Sequence, residues 1–226
     1  MIESLMKGGQ VMKKEYIFFD FDGTLVDTSE GIYAALEVAY EKMNLPPISA
    51  TDKRKYIGPP LEASFMAYAN MNESEADEAT VYFRAFYKEK GVKMHRVYDG
   101  VIDTLKELKQ RGKKLIIATS KPQPLAESIL KWNDFYQLFD VISGATFDGT
   151  RSTKEQVLNH ALSFLGEIDL SSCVLVGDSK SDALGAKKVK MDCIGALYGF
   201  GTKNELEENG VICTIEKPQD LLNIID

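Results

Sequence analysis

The chain has 226 residues, 44% of them hydrophobic and 27% charged, and carries a net charge of −7. That length suits one large domain or two modest ones, and the composition is that of a globular protein. The acidic balance, with no block of basic residues, argues against nucleic acid as the main partner, and no apolar run is long enough to span a bilayer.

The first residues lack the apolar stretch of a secretory signal. Lys7-Gly8-Gly9 can be encoded by codons that contain a bacterial ribosome-binding site, with Gln10-Val11 as spacer and Met12 as start. Residues 1–11 therefore read as a translated upstream leader, and residues 1–12 are set aside as leader or disordered tail.

Residues 16–27 read Tyr-Ile-Phe-Phe-Asp-Phe-Asp-Gly-Thr-Leu-Val-Asp. A short apolar run bounded by turn residues predicts a buried strand. Side chains alternate along a strand, so Asp20 and Asp22 share one side while Phe21 turns back into packing. Two carboxylates at one strand end repel each other and are hard to keep ionised without a cation. The fitting partner is hard and oxygen-loving, such as Mg²⁺. A carboxylate beside Mg²⁺ can attack phosphorus and form an aspartyl phosphate. A calcium loop is disfavoured, because Leu25 stands where that loop needs glycine. Phe147-Asp148-Gly149-Thr150 repeats the tetrapeptide Phe21-Asp22-Gly23-Thr24 without the second aspartate or a long apolar run, and reads as an ordinary turn.

Between Asp27 and Lys113 lie far more residues than one crossover helix needs. Helical patterns cover 29–43, 61–69 and 74–90, with no convincing strand. This predicts an all-helical cap domain over 30–96, inserted into a core of 13–29 and 97–226. Gly58-Pro59-Pro60 breaks two helical patterns and shapes a loop. Lys53, Arg54 and Tyr56 precede the break. Arg54, Tyr56 and Gly58 are the candidate specificity residues of the cap.

Beyond the insert, strands predicted at 114–119, 140–143, 173–177, 192–196 and 211–214 alternate with helices at 101–111, 122–132, 153–165, 182–189 and 218–225. Such alternation implies an α/β fold, a Rossmann-like parallel sheet covered by helices. Ligands bind outside the carboxyl ends of strands in such sheets. Asp20 and Asp22 end the first strand, Thr119-Ser120 the second, and Gly177-Asp178 another. Thr119 can donate its hydroxyl to a phosphate oxygen, and neighbouring backbone N–H groups can bind as well. Lys154 can bring positive charge to the phosphate, with Lys121 as its rival. Asp178 can complete a Mg²⁺ site, and Asp182 can orient ligands from behind.

These residues together resemble the haloacid dehalogenase superfamily. Its first motif, Asp-x-Asp-Gly-Thr/Val, matches Asp20-Phe21-Asp22-Gly23-Thr24. The Thr/Ser, Lys and Gly-Asp-x-x-x-Asp motifs match Thr119, Lys154 and 177–182. The resemblance implies Asp20 as nucleophile and Asp22 as general acid/base. It implies a metal held by Asp20, the Asp22 carbonyl and Asp178, and a phosphate held by Gly23, Thr119, Ser120 and Lys154. The third motif departs from the family's frequent Lys-Pro-x-Pro, reading Arg151-Ser152-Thr153-Lys154. Within the superfamily the wording around Gly58 and 148–154 resembles the phosphoglycolate phosphatases and related 5′-nucleotidases. The expectation is a Mg²⁺-dependent phosphatase acting on a small phosphorylated metabolite, as a monomer or small homo-oligomer. Alternatives are a phosphomutase, a dehalogenase and, from another class, a phosphoaspartate signalling module.

Three scattered cysteines, Cys173, Cys193 and Cys213, sit in apolar runs and predict buried thiols in a reducing cytoplasm. His160 falls inside a helical pattern and reads as structural, and His95 lies near the cap boundary. Gly199-Phe200-Gly201 lacks the third glycine of a dinucleotide-binding turn and is discounted.

Overall fold

A computed structural model describes residues 11–226. The leader expectation falls almost wholly outside them. Met12 itself bridges to Ile225, its N–H donating to the Ile224 carbonyl at 2.8 Å. The chain divides into two compact units: Asp27–Arg96 is one, and the described residues on either side of it are the other.

The larger unit opens with β1 (Tyr16–Phe19). The chain departs at β2 (Val26–Asp27) and returns at β3 (Arg96–Val97). It then runs through β4 (Lys114–Pro122), β5 (Val141–Ala145), β6 (Cys173–Gly177), β7 (Asp192–Ala196) and β8 (Cys213–Ile215). Six of these form one parallel sheet in the order β5-β4-β1-β6-β7-β8. This is the α/β Rossmann-like architecture that the alternating pattern implies. β1 is central, and Phe19 stands level with Ile117 on β4 and Val176 on β6. The residues after these three therefore emerge side by side at the carboxyl edge.

The sheet is buried on both faces, which is why the middles of its central strands are apolar. Phe18, Ile116 and Leu175 pack on one face against Val157, Leu158 and Ala161 and against Ala183 and Ala186. Each fully buried side chain of this size contributes roughly 1.5–3 kcal/mol. No helix among the described residues is long and apolar enough to cross a membrane.

In the smaller unit, α1 (Ser29–Lys42), α2 (Ala50–Arg54), α3 (Leu61–Ala69) and α4 (Glu73–Glu89) pack together. A capping box between Asn72 and Glu75 starts α4. Gly31 and Gly91 meet backbone to backbone, and a Cβ on Gly31 would overlap the Gly91 carbonyl oxygen.

The larger unit's helices are α5 (Val101–Gln110), α6 (Gln123–Trp132), α7 (Lys154–Leu162), α8 (Lys180–Lys188), α9 (Lys203–Glu208) and α10 (Leu221–Ile224). The helices α2 and α9 were not expected, and among the expected elements the two at the carboxyl end differ in kind or register. The helix predicted at 218–225 is a 3₁₀ turn at Pro218–Asp220 followed by the single turn of α10. The strand predicted at 211–214 is Cys213–Ile215, shifted because its pairing with β7 begins at Cys213 opposite Ile194. The second Asp-Gly-Thr copy is a turn: Asp148 Oδ1 accepts from the Thr150 N–H and hydroxyl, and Gly149 has φ +75°.

Candidate active site

Asp20 is carried just past the end of β1, its N–H donating to the Val176 carbonyl at 2.9 Å. A tight turn follows, in which the N–H groups of Leu25 and Val26 both reach the Phe21 carbonyl. Gly23 makes this turn possible with φ +87°. Its N–H donates to the Val26 carbonyl at 2.9 Å. The resemblance gave Gly23 to the phosphate. Its N–H is already committed, and the residue serves the turn and gives room to Asp178, which a Cβ here would overlap.

Two helix starts deliver the other charged groups. Thr153 and Gln156 form a capping box that opens α7 with Lys154 as its first residue. Helical Cβ atoms tilt toward the N-terminus, so this side chain reaches back to the sheet edge. Gly185 on α8 lets α7 approach, because a Cβ there would overlap the Lys154 stem. Ser179 and Asp182 form the capping box of α8, with the Ser179 N–H and hydroxyl donating to Asp182 Oδ2 at 3.0 and 2.6 Å.

The resulting cluster is buried. Lys154 Nζ lies 2.6 Å from Asp20 Oδ1 and 2.8 Å from Asp182 Oδ1, and donates to the Ala118 carbonyl at 2.9 Å. Asp178 accepts from the Thr24 hydroxyl at 3.0 Å and from the Phe200 N–H at 2.7 Å. Thr119 is buried, and its Oγ1 accepts from the Lys121 N–H at 3.1 Å, which leaves the hydroxyl proton available to a ligand. Ser120 is half-buried beside it. Asp22 pairs with Lys121 at 3.0 Å. The two rival lysines thus take different partners: Lys154 meets Asp20 and Asp182, while Lys121 meets Asp22.

Asp20, Asp178 and Asp182 each present an oxygen within 4.8 Å of the others. Burial, and then the Asp182 charge, push the Asp20 carboxyl up to about 6 against the pull of Lys154. Burial and the same crowding hold Asp178 well above the usual carboxylate range. Burial alone would lower Lys154, but the Asp182 and Asp20 carboxylates raise it overall. Three clustered carboxyl groups beside one ammonium cannot all stay ionised without a further cation. An all-oxygen donor set of this kind fits a hard divalent cation such as Mg²⁺.

The cap residues separate. Tyr56 is 2% exposed. Its ring packs edge-on against Tyr40, Phe65 and Tyr68, and its hydroxyl meets that of Tyr40 at 2.7 Å. Tyr56, a candidate specificity residue, is thus drawn into the cap's own core at the helical break. Arg54 and Gly58 are exposed, and Gly58 has φ +100°. Lys53 pairs with Glu37. His95 Nδ1 meets the Val92 carbonyl at 2.9 Å, and His160 Nδ1 meets Ser143 Oγ at 2.9 Å.

Sequence reasoning missed three supports of this site: the Thr24 hydroxyl, the Phe200 N–H and the Ala118 carbonyl. Thr24 stands in the first motif and Phe200 in the Gly-Phe-Gly spacing, while nothing in the sequence marked the Ala118 carbonyl.

Residues 17–196 match the family model of the haloacid dehalogenase-like hydrolases. A 5′-nucleotidase of Pseudomonas aeruginosa is 37% identical over 190 residues, covering 84% of this chain and 86% of that protein. The tyrosine-protein kinase PtkA of Mycobacterium tuberculosis is 32% identical over 93% of this chain and 73% of its own. The crystal structure of a predicted phosphatase from Clostridium acetobutylicum superposes with a TM-score of 0.88 at 36% identity, covering 92% of this chain and 96% of that one.

Proposed function

Because the chain belongs to the haloacid dehalogenase-like hydrolases, we propose that it is a Mg²⁺-dependent phosphate-monoester hydrolase working through an aspartyl phosphate. The observation that carries this reading is Lys154 Nζ, buried 2.6 Å from Asp20 Oδ1 in a cluster with Asp178 and Asp182. In this reading Lys154 and the Thr119 hydroxyl hold the phosphate's equatorial oxygens, with Ser120 beside them. Phosphoryl transfer needs mainly such positioning and charge neutralisation. The Asp20 carboxylate attacks phosphorus, and the P–O bond to the leaving group breaks as Asp22 gives that oxygen a proton. Asp22 then takes a proton from water as the water attacks phosphorus, which frees Asp20 and releases inorganic phosphate. When bound by Asp20, the Asp22 carbonyl and Asp178, Mg²⁺ supplies positive charge that offsets the nucleophile and the phosphate. Asp182 orients Lys154.

The substrate is a small phosphate ester, and a 5′-nucleotide has the support of the Pseudomonas relative's name. Phosphoglycolate is the competing ester, on the motif wording near Gly58 and Lys154. The test is hydrolysis of a panel with Mg²⁺: nucleoside 5′-monophosphates, phosphoglycolate and sugar phosphates. Release of inorganic phosphate from one class supports the proposal. Transfer between sugar positions without release would favour a mutase. Stable protein phosphorylation without turnover would favour a signalling module. Transfer from ATP to protein tyrosine would align the chain with its kinase-named relative.

A further inference from the structure

We propose that Gly199-Phe200-Gly201 is a clasp that positions Asp178 for the divalent cation, a part of the metal site that ligates nothing itself. The inference rests on the Mg²⁺ reading above. Asp178 is 1% exposed. Its two carboxylate oxygens are held from opposite parts of the chain. Thr24 Oγ1, in the turn after β1, donates to Oδ1 at 3.0 Å. The Phe200 N–H, in the loop after β7, donates to Oδ2 at 2.7 Å. One directed donor on each oxygen fixes the carboxylate's rotation. An ionised carboxylate has about four lone-pair sites, so both oxygens keep capacity for a cation shared with the neighbouring acids of the cluster.

The glycines make the closure possible. A Cβ on Gly201 would overlap the Asp178 carbonyl oxygen, and a Cβ on Gly199 would overlap both the Asp178 side chain and the Gly23 carbonyl oxygen. Neither glycine is in the left-handed region, so close approach alone excludes a side chain. The loop therefore touches Asp178 through its main chain, its Cβ and its carboxylate at once. It is anchored behind by the Leu197 N–H on the Ile215 carbonyl at 2.9 Å and by Tyr198 edge-on to Tyr98. Groups that orient a ligand from behind typically change metal affinity 10–100-fold when lost.

The test is calorimetric titration of Mg²⁺ into the full chain after removal of metal, with thermal melting in EDTA alongside. Gly199→Ala and Gly201→Ala should raise the Mg²⁺ Kd about 10- to 100-fold. Gly112→Ala is the control: Gly112 has φ +78° and open space around it, so this variant should lose stability yet bind Mg²⁺ as the wild type does. Where the clasp variants fail to fold, incorporation of the α-hydroxy analogue of phenylalanine at position 200 removes only the N–H donor and should weaken Mg²⁺ in the same direction. Wild-type binding with unchanged affinity in the folded clasp variants or the ester analogue would overturn the clasp alone. No Mg²⁺ binding by the wild type would overturn the metal reading and the clasp with it.

Discussion

Lys121 Nζ lies 3.0 Å from Asp22 Oδ1, so the acid two residues past the proposed nucleophile has a lysine of its own. The pair is largely shielded from water, with side-chain exposures of 4% and 15%. Lys154 stands on the Asp20 side of the same strand end. A single-lysine description of this site is therefore incomplete, and the two should fail differently when removed. Lys154→Met takes away charge at the nucleophile and phosphate, and kcat should fall about 10²–10³-fold, the scale for losing one preorganised electrostatic donor. Lys121→Met takes the ammonium from beside Asp22 and leaves Lys154 and Thr119 in place, so its loss should be smaller and fall on kcat more than on KM. Steady-state kinetics of both variants would check this. A larger loss for Lys121→Met would exchange their roles.

Asp20→Asn should abolish turnover with the fold retained, because the amide is nearly isosteric and cannot act as the nucleophile. Asp22→Asn should lose about 10²–10⁴ in rate, the usual worth of acid/base help. Phosphate release and circular dichroism on the purified variants measure both. Hydrolysis by Asp20→Asn near the wild-type rate would exclude the aspartyl phosphate.

EDTA should remove activity and Mg²⁺ should restore it, since the buried acids outnumber their lysine. Ca²⁺ should restore little, because it prefers more ligands at longer distances and would displace the nucleophile. Metal titration against phosphate release is the measurement. Full activity in metal-free buffer would favour dehalogenase-type chemistry.

Arg54 and Tyr56, two positions apart, should now behave as opposites. Tyr56→Phe removes the hydroxyl contact with Tyr40 and should cost about 1 kcal/mol of cap stability. It should leave relative kcat/KM among esters unchanged. Arg54→Ala, at an exposed position, should change those ratios while leaving p-nitrophenyl phosphate least affected. Melting curves and the ester panel separate the two outcomes. A shift of ester preference by Tyr56→Phe would return that residue to the substrate.

The residues proposed to carry the chemistry were legible wherever local pattern and chemistry coincide. An apolar run ending in Asp20-Phe21-Asp22 marks a strand end with two carboxylates, and the alternation of strands and helices sends Thr119 and Asp178 to the same edge. These are short-range signals: a two-residue period, a turn glycine, a helix start. The strand order that makes β1 central came from the structure, because the rules of parallel crossovers admit several orders for the same alternation.

What only the tertiary structure decided is which neighbour each polar group meets. Lys121 and Lys154 look alike in sequence, each beside a Thr or Ser near a strand or helix end, and only their places in the sheet and on α7 assign them to Asp22 and to Asp20 with Asp182. Gly23 looked like a phosphate donor until the turn committed its N–H to Val26. Tyr56 stood in sequence among the candidate specificity residues, and the structure packs it among the cap's own aromatic rings. Phe200 reaches Asp178 through a backbone N–H, which no side-chain motif encodes. Unlike the local Gly23 turn, the Lys121–Asp22 and Phe200–Asp178 partners lie tens of residues apart along the chain. Their pairing is set by packing in three dimensions, which a one-dimensional pattern does not contain.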